Sequence, residues 1–258
     1  MLAGKIGYFR ASLDPAAAAY IAAVEAADGQ ALEAAVRTAI NNFVVGCKTD
    51  GIWSAIKASC VLMGARTLAG ALVPLVGAAP TNVNFVAGDY NRKTGLVGNG
   101  SNKFLDANRN NNADPQNSNH LSVYSSALPS AAVTPNLIGA GITGNTGSSA
   151  IAIPGGGNLT MRSRSSSGVS VGAPTVGFIG KSRVNSAAFL SRNNGQTASN
   201  TLASQAAFNG NVHVFKTNGS TIHSDGRIAF YSIGEGLTLA SLDSRVTALY
   251  NAIGAAIP

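Results

Sequence analysis

The amino-acid sequence predicts a mainly-β chain: an antiparallel jelly-roll sandwich with a helical N-terminal subdomain packed on one end or face. Three observations carry that expectation. Apolar residues at helical spacing gather in the first 80 positions and in one segment after residue 240. Short apolar runs otherwise recur at intervals of about 8–12 residues, the spacing of strands in a sandwich or barrel. Turns rich in Gly, Asn and Ser separate those runs.

Taken in order, residues 1–12 form an N-terminal arm too short to fold alone. It is either a frayed terminus or a segment that docks on a neighbour. Tyr8, Phe9 and Arg10 are its candidate docking residues, because aromatic-plus-Arg clusters anchor protein contacts. The helical subdomain spans 13–80. Asp14 at the N-cap and Pro15 at the first helical position open a helix over 16–27, and Asp28-Gly29 stops it. Leu32, Val36, Ile40, Phe43 and Val44 lay an apolar stripe on a second helix, from about 30 to 48. Residues 52–56 form a further short turn or helix, with Trp53 as a core anchor. A continuous apolar run over 59–64, bounded by breakers, reads as a buried strand. A short helix over 67–75 follows.

The sandwich occupies 81–258. Strand pieces at 84–86 and 96–97 flank a polar turn, and Lys103-Phe104-Leu105 follows another. Residues 108–119 make an Asn-rich loop, twelve residues with six Asn. Strands are then expected at 120–124, 137–142, 150–153, 159–164, 169–171, 176–180, 187–191, 212–215 and 227–233. Asn193-Asn194-Gly195 marks a hairpin, since Asn and Gly accept positive φ. The stretch 225–250 organises the whole: a strand, a Gly234-Glu235-Gly236 kink, and a helix over 241–253. Leu242, Val246, Leu249 and Ile253 recur there at helical spacing, with Asp243 in the first turn, where the helix dipole favours negative charge. The strand reads as the last of its sheet, sealed at one end by the helix.

Composition narrows the role. Charged residues are 11% of the 258, against roughly 25% in an ordinary soluble domain. A surface so poor in charge is easier to keep in solution when partners cover it, which favours an assembly component over a free enzyme. The net charge of +7 divides into +2 on residues 1–114 and +5 on 115–258. The basic residues are dispersed and no nucleic-acid motif accompanies them, so a solvated or partner-facing polar surface is expected rather than nucleic-acid binding. Cys47 and Cys60 match no disulfide framework or metal spacing and read as buried thiols. The most hydrophobic stretch, 61–76, is broken by Gly64, Arg66, Gly70 and Pro74, and the opening residues lack a signal-peptide core. No membrane association is expected, and synthesis in the cytoplasm is.

Two segments carry a resemblance. The run from Asp89-Tyr90-Asn91-Arg92-Lys93-Thr94-Gly95-Leu96-Val97 through Gly98-Asn99-Gly100-Ser101 to Lys103-Phe104-Leu105 is one. Arg227-Ile228-Ala229-Phe230-Tyr231-Ser232-Ile233-Gly234-Glu235 is the other. Together they resemble concanavalin A-like (laminin-G-like) sandwich modules of phage virion proteins, over roughly residues 30–258. The resemblance implies a non-enzymatic virion structural protein. The first expectation is a capsid decoration (cement) protein that binds the major capsid protein or other virion proteins as a homo-oligomer. The second is a carbohydrate-binding receptor module of a tail fibre or spike. Lectin sandwiches read sugars with aromatic, Asn and Arg side chains, which makes Tyr90, Tyr124, Tyr231, Arg162, Arg164 and Arg192 the candidate glycan or anion contacts.

The residues point to no catalytic, cofactor-binding or metal site. Asp106, Asn108 and Asp114 supply too few carboxylates for a calcium loop and read as an ordinary Asx-turn loop. After residue 115 only Asp225, Glu235 and Asp243 are acidic, and no glucanase-type carboxylate strand is present. His120, His213 and His223 are scattered. No Gly-x-Ser-x-Gly elbow exists. Gly155-Gly156-Gly157 precedes a strand rather than the helix N-terminus that a phosphate cradle needs.

Overall fold

The computed structural model describes residues 13–130, 135–154 and 157–258. The docking triad Tyr8, Phe9 and Arg10 lies outside them. Four α-helices are present among the described residues: α1 (Pro15–Asp28), α2 (Ala34–Thr49), α3 (Leu68–Ala71) and α4 (Leu239–Ala256). The strands are β1 (Ile56–Val61), β2 (Thr81–Val83), β3 (Tyr90–Asn91), β4 (Gly95–Val97), β5 (Phe104–Asn110), β6 (Asn119–Ala127), β7 (Asn136–Ala140) and β8 (Ser149–Ala152). They continue with β9 (Thr160–Ser163), β10 (Val169–Ser170), β11 (Gly177–Arg183), β12 (Ala188–Asn193), β13 (Gln196–Thr201), β14 (Asn211–Val214), β15 (Thr217–Asn218) and β16 (Arg227–Gly234).

Two sheets face each other. The first runs β13-β12-β11-β6-β16-β4-β3, with β1 also paired to β16; the second runs β10-β9-β8-β7-β14-β5-β2, with β15 beside β7. The chain is a mainly-β, two-sheet sandwich preceded by helices, antiparallel throughout apart from the short β15–β7 pair. Strand β1 lies inside the helical stretch 13–80 yet pairs with β16, so helices and sandwich share a sheet.

The layers follow from side-chain alternation. Along β6 and β16, Leu121, Val123, Ile228, Tyr231 and Ile233 join one core between the sheets. Tyr124, Ala229 and Phe230 point the other way, into a second core roofed by α1, α2 and α4. Tyr20, Ile21 and Val24 of α1, Ile40, Phe43 and Val44 of α2, and Leu242, Val246, Leu249 and Ile253 of α4 are buried there. Phe43 meets Phe230 edge-on, ring centroids 5.7 Å apart.

Capping chemistry sets the first helix as the sequence predicts. The Ala16 N–H donates to Asp14 Oδ1 at 2.9 Å, and Gly29 closes the helix at φ 64°. Lys48 Nζ lies 2.7 Å from Asp14, tying α1 to α2 and holding the Asp14 carboxyl below its ordinary range. Helix α2 starts four residues later than its stripe implies, because Leu32 belongs to the preceding turn and donates its N–H to Glu25 Oε1 at 2.9 Å. Trp53 sits at the rim of the helical core rather than inside it, half-buried under Lys48. Cys47 and Cys60 are buried, and burial pushes both thiols up to about 12.

The stretch 225–250 departs in part from its expected place. Strand β16 is the last strand of the chain, as expected, and it lies inside its sheet, bonded to β6, β4 and β1. Helix α4 does not seal an end; it lies against α2, β11 and β12, across the outer face of the first sheet. The helix begins at Leu239, which puts Asp243 in the second turn, where it pairs with Arg192 at 2.6 Å. Strand β5 reaches Asn110 inside the expected Asn-rich loop, since β2 and β14 flank it and Asn211 pairs with Asn110. Strand β13 has no counterpart in the expectations: Gln-Thr-Ala-Ser-Asn-Thr offers no apolar alternation, and it forms at an edge by pairing with β12. No helix among the described residues is long and apolar enough to cross a membrane.

Candidate binding groove

The outer face of the second sheet carries a groove, and β9 shows how the strands build it. Met161 is fully buried between the sheets, so alternation turns Thr160 and Arg162 outward. Register places Thr160 opposite Ala152 and Ala152 opposite Asn136, a row across three strands. Ala150 stands opposite Arg162. The small side chains at Ala150 and Ala152 keep that surface low. Ile142, Thr143 and the turn 219–222 complete the lining of a groove of about 420 Å³.

Its chemistry is polar at fixed points and apolar between them. The Arg162 guanidinium donates from Nη1 to Thr143 Oγ1 at 2.9 Å and from Nη2 to the Gly141 carbonyl at 3.4 Å. Its Nε is buried with no acceptor, and burial lowers the affinity of the group for its proton. Asn136 Nδ2 donates to Ser220 Oγ at 3.2 Å, fastening the 219–222 turn to β7. Ile142 and Ile222 keep about 40% and 38% of their surface in water, which gives the groove two apolar contact points. Among the described residues no carboxylate lines the groove.

A second hollow of about 330 Å³ lies on the opposite sheet, at the tip of the β12–β13 hairpin. Tyr124, Val176, Asn194, Asp243 and Thr247 are among its lining residues. Tyr124 is almost wholly buried and stacks on Tyr250, centroids 4.4 Å apart.

The six candidate glycan or anion contacts therefore separate. Arg162 lines the groove, and Tyr124 borders the hollow. Arg192 is held beside that hollow by Asp243 and by Thr197 Oγ1. Of the other three, Tyr231 and Arg164 are corrected by burial, and Tyr90 lines neither hollow. Tyr231 is fully buried with its hydroxyl 3.4 Å from Cys60 Sγ, so it contributes to the core. Tyr90 is half-buried and donates to the Ala65 carbonyl at 2.8 Å. Arg164 is 1% exposed and turned inward. Sequence reasoning missed Asn136, Thr143, Ser220, Ile142 and Ile222. The only signal for them was the Asn218-Gly219 turn, whose position over the sheet is a matter of tertiary packing.

The remaining chemistry-bearing groups are taken up elsewhere. Asp114 accepts both from Arg109 Nε and Nη2, and Asp106 lies 3.6 Å from His213 Nε2. Glu235 pairs with Lys57 at 2.9 Å, Asp243 with Arg192, and Asp225 accepts the Ser130 N–H. Among the described residues no three His, Cys, Asp or Glu side chains gather as a metal-holding group.

No family model matches the chain, and no curated protein does. Among solved structures it is similar to domain 4 of AbnA, a GH43 extracellular arabinanase from Geobacillus stearothermophilus, in complex with arabinotriose. That likeness has a TM-score of 0.43 at 17% identity and covers 66% of this chain and 82% of that one. The CBM40 of Ruminococcus gnavus IT-sialidase, bound to α2,3-sialyllactose, gives 0.41 at 13% over 50% and 82%. The binding domain of botulinum neurotoxin serotype D gives 0.49 at 12%, over 75% of this chain and 51% of that one. At TM-scores below 0.5, such likenesses say nothing of what this chain binds.

Proposed function

We propose that the chain is a non-enzymatic carbohydrate-binding module that holds glycans in the groove beside Arg162. The observation that carries this reading is an open groove lined by the Arg162 guanidinium, by the amide and hydroxyl groups of Asn136, Thr143, Thr160 and Ser220, and by two exposed isoleucines. Sugars present hydroxyl rows alternating with C–H faces, which such a lining complements with hydrogen bonds and apolar contact. An arginine donor further favours a sugar that carries a carboxylate or sulfate.

A glycan array probed with the full chain tests the reading. Acidic glycans are expected to bind, and Arg162→Met is expected to weaken them by roughly tenfold, the equivalent of one hydrogen bond to a charged group. An array with no signal overturns it.

The receptor-module role on a virion tail fibre or spike is the setting in which such a groove has an evident use. The capsid decoration role, with binding to the major capsid protein, keeps the support of low charge and resemblance alone, since its docking triad lies outside the described residues. Copy number per virion separates the two: hundreds for a shell protein, about a dozen for a tail component.

A further inference from the structure

At one end of the layer between the sheets, the apolar core gives way to cations. Lys181 and Arg183 on β11 are fully buried, Arg164 after β9 is 1% exposed, and Arg109 stands beside them on β5. Among the described residues Asp114 is the one carboxylate in contact with this group, and Arg109 occupies both of its oxygens. Asn119 and Ser163 supply neutral acceptors.

The three buried cations are not equally served. Arg183 spends its donors on the carbonyls of Ser163, Asn185, Ser186, Ala188 and Leu202, a structural clamp on the turns around it. Lys181 Nζ has Asn119 Oδ1 at 2.7 Å and Ser163 Oγ at 3.3 Å, two acceptors for three protons. Arg164 uses only Nη2, on the Asp114 carbonyl at 2.9 Å; its Nε and Nη1 are buried without any acceptor. Its backbone lies at φ 54°, a left-handed conformation that a β-strand's alternation does not provide and that L side chains adopt at a cost.

A buried charged donor without a partner costs several kcal/mol, and uncompensated positive charge adds to it. We propose that Arg164 and Lys181 hold a small inorganic monoanion, a halide, between the two sheets. It accepts from Arg164 Nε and Nη1 and takes the third Lys181 proton. It is only slightly larger than a water molecule, and it offsets charge that a water would leave in place. Burial and the neighbouring guanidinium groups hold the Lys181 ammonium well below its ordinary range, and burial brings Arg164 down to about 10. A bound anion relieves both. The site is separate from the groove, because Arg162 points outward on the same strand, so failure of either proposal leaves the other standing.

Two measurements on the full chain decide it. In crystals grown or soaked in sodium bromide, an anomalous peak is expected within hydrogen-bonding reach of Arg164 Nε and Nη1 and of Lys181 Nζ. In thermal melts at constant ionic strength, with gluconate replaced stepwise by bromide, Tm is expected to rise by several degrees. Arg164→Met should abolish that rise while circular dichroism stays native. Should that variant not fold, Arg164→Lys, which keeps a charge but loses the Nε and Nη1 donors, should reduce the rise. A water without anomalous signal at that position, or a bromide-dependent Tm that the variants leave unchanged, overturns the proposal.

Discussion

The two outer faces of the sandwich were built by the same strand alternation and put to opposite uses. The first sheet turns Phe178, Ala229 and Phe230 outward, and three helices cover them. The second turns Ala152, Thr160 and Arg162 outward, and there the strands bound an open groove. The difference teaches which face can recognise anything. A face tiled with large apolar side chains demands a permanent cover, whereas small residues with a few anchored polar groups leave a surface that a ligand can use.

Breaking the covered face should have the largest effect. Phe230→Ala removes a side chain that is 1% exposed and in edge contact with Phe43, and should cost about 3–5 kcal/mol in urea denaturation. A loss under about 1 kcal/mol would mean the helices are only loosely seated.

Acid should work on the same face through His120. Its ring is shut from water between Ser232 Oγ (2.7 Å) and the Glu235 carbonyl (2.6 Å), and burial lowers its pKa to about 4. The unfolded chain takes up that proton below about 6.5, so stability is complete above that pH and falls as pH drops from 6.5 towards 4. The loss is on the order of 3 kcal/mol. His213 and His223 are lowered as well and add to the slope. The check is therefore a difference: His120→Gln should flatten the curve between pH 6.5 and 4.5. An unchanged slope would place the titration elsewhere.

A milder change tests the edge of the covered sheet. Gly195 has φ 69° in open space, so Gly195→Ala meets no neighbour and pays only for left-handed backbone, about 1 kcal/mol. A Tm drop of a few degrees measures it. The smallest effect belongs to the open face. Arg162→Met gives up the bonds to Thr143 and Gly141 but also removes a buried donor without an acceptor. Stability should therefore shift by less than about 1 kcal/mol while glycan binding weakens roughly tenfold, which sets recognition apart from support.

How much of this was legible in the sequence depended on how local the cause was. Asp14, Pro15 and Gly29 act within a turn of themselves, and α1 stands where they place it. Asn194-Gly195 shapes its hairpin in the same way, with both residues at positive φ. The apolar stripe of α4 named its buried side, yet periodicity does not say against what it packs, so the helix was expected at an end rather than across a face. The groove was hardest to foresee. Its residues come from β7, β8, β9 and two turns, 136 to 222, and only strand register brings Asn136, Ala152 and Thr160 into one row. Arg162 and Arg164 looked alike as a pair; one left-handed residue sends the second inward.

The central position of β16 has a consequence for how the protein comes to be folded. Strands β1, β4 and β6 all pair with residues 227–234. Ile56, for example, finds its partner at Gly234. The earlier strands are therefore made long before the one that joins them, and β1, β4 and β6 come into one sheet only through it. Such contacts, distant along the chain, slow folding. Helices α1 and α2 can form early, but the sheet they roof is completed only when β16 arrives and α4 closes over it.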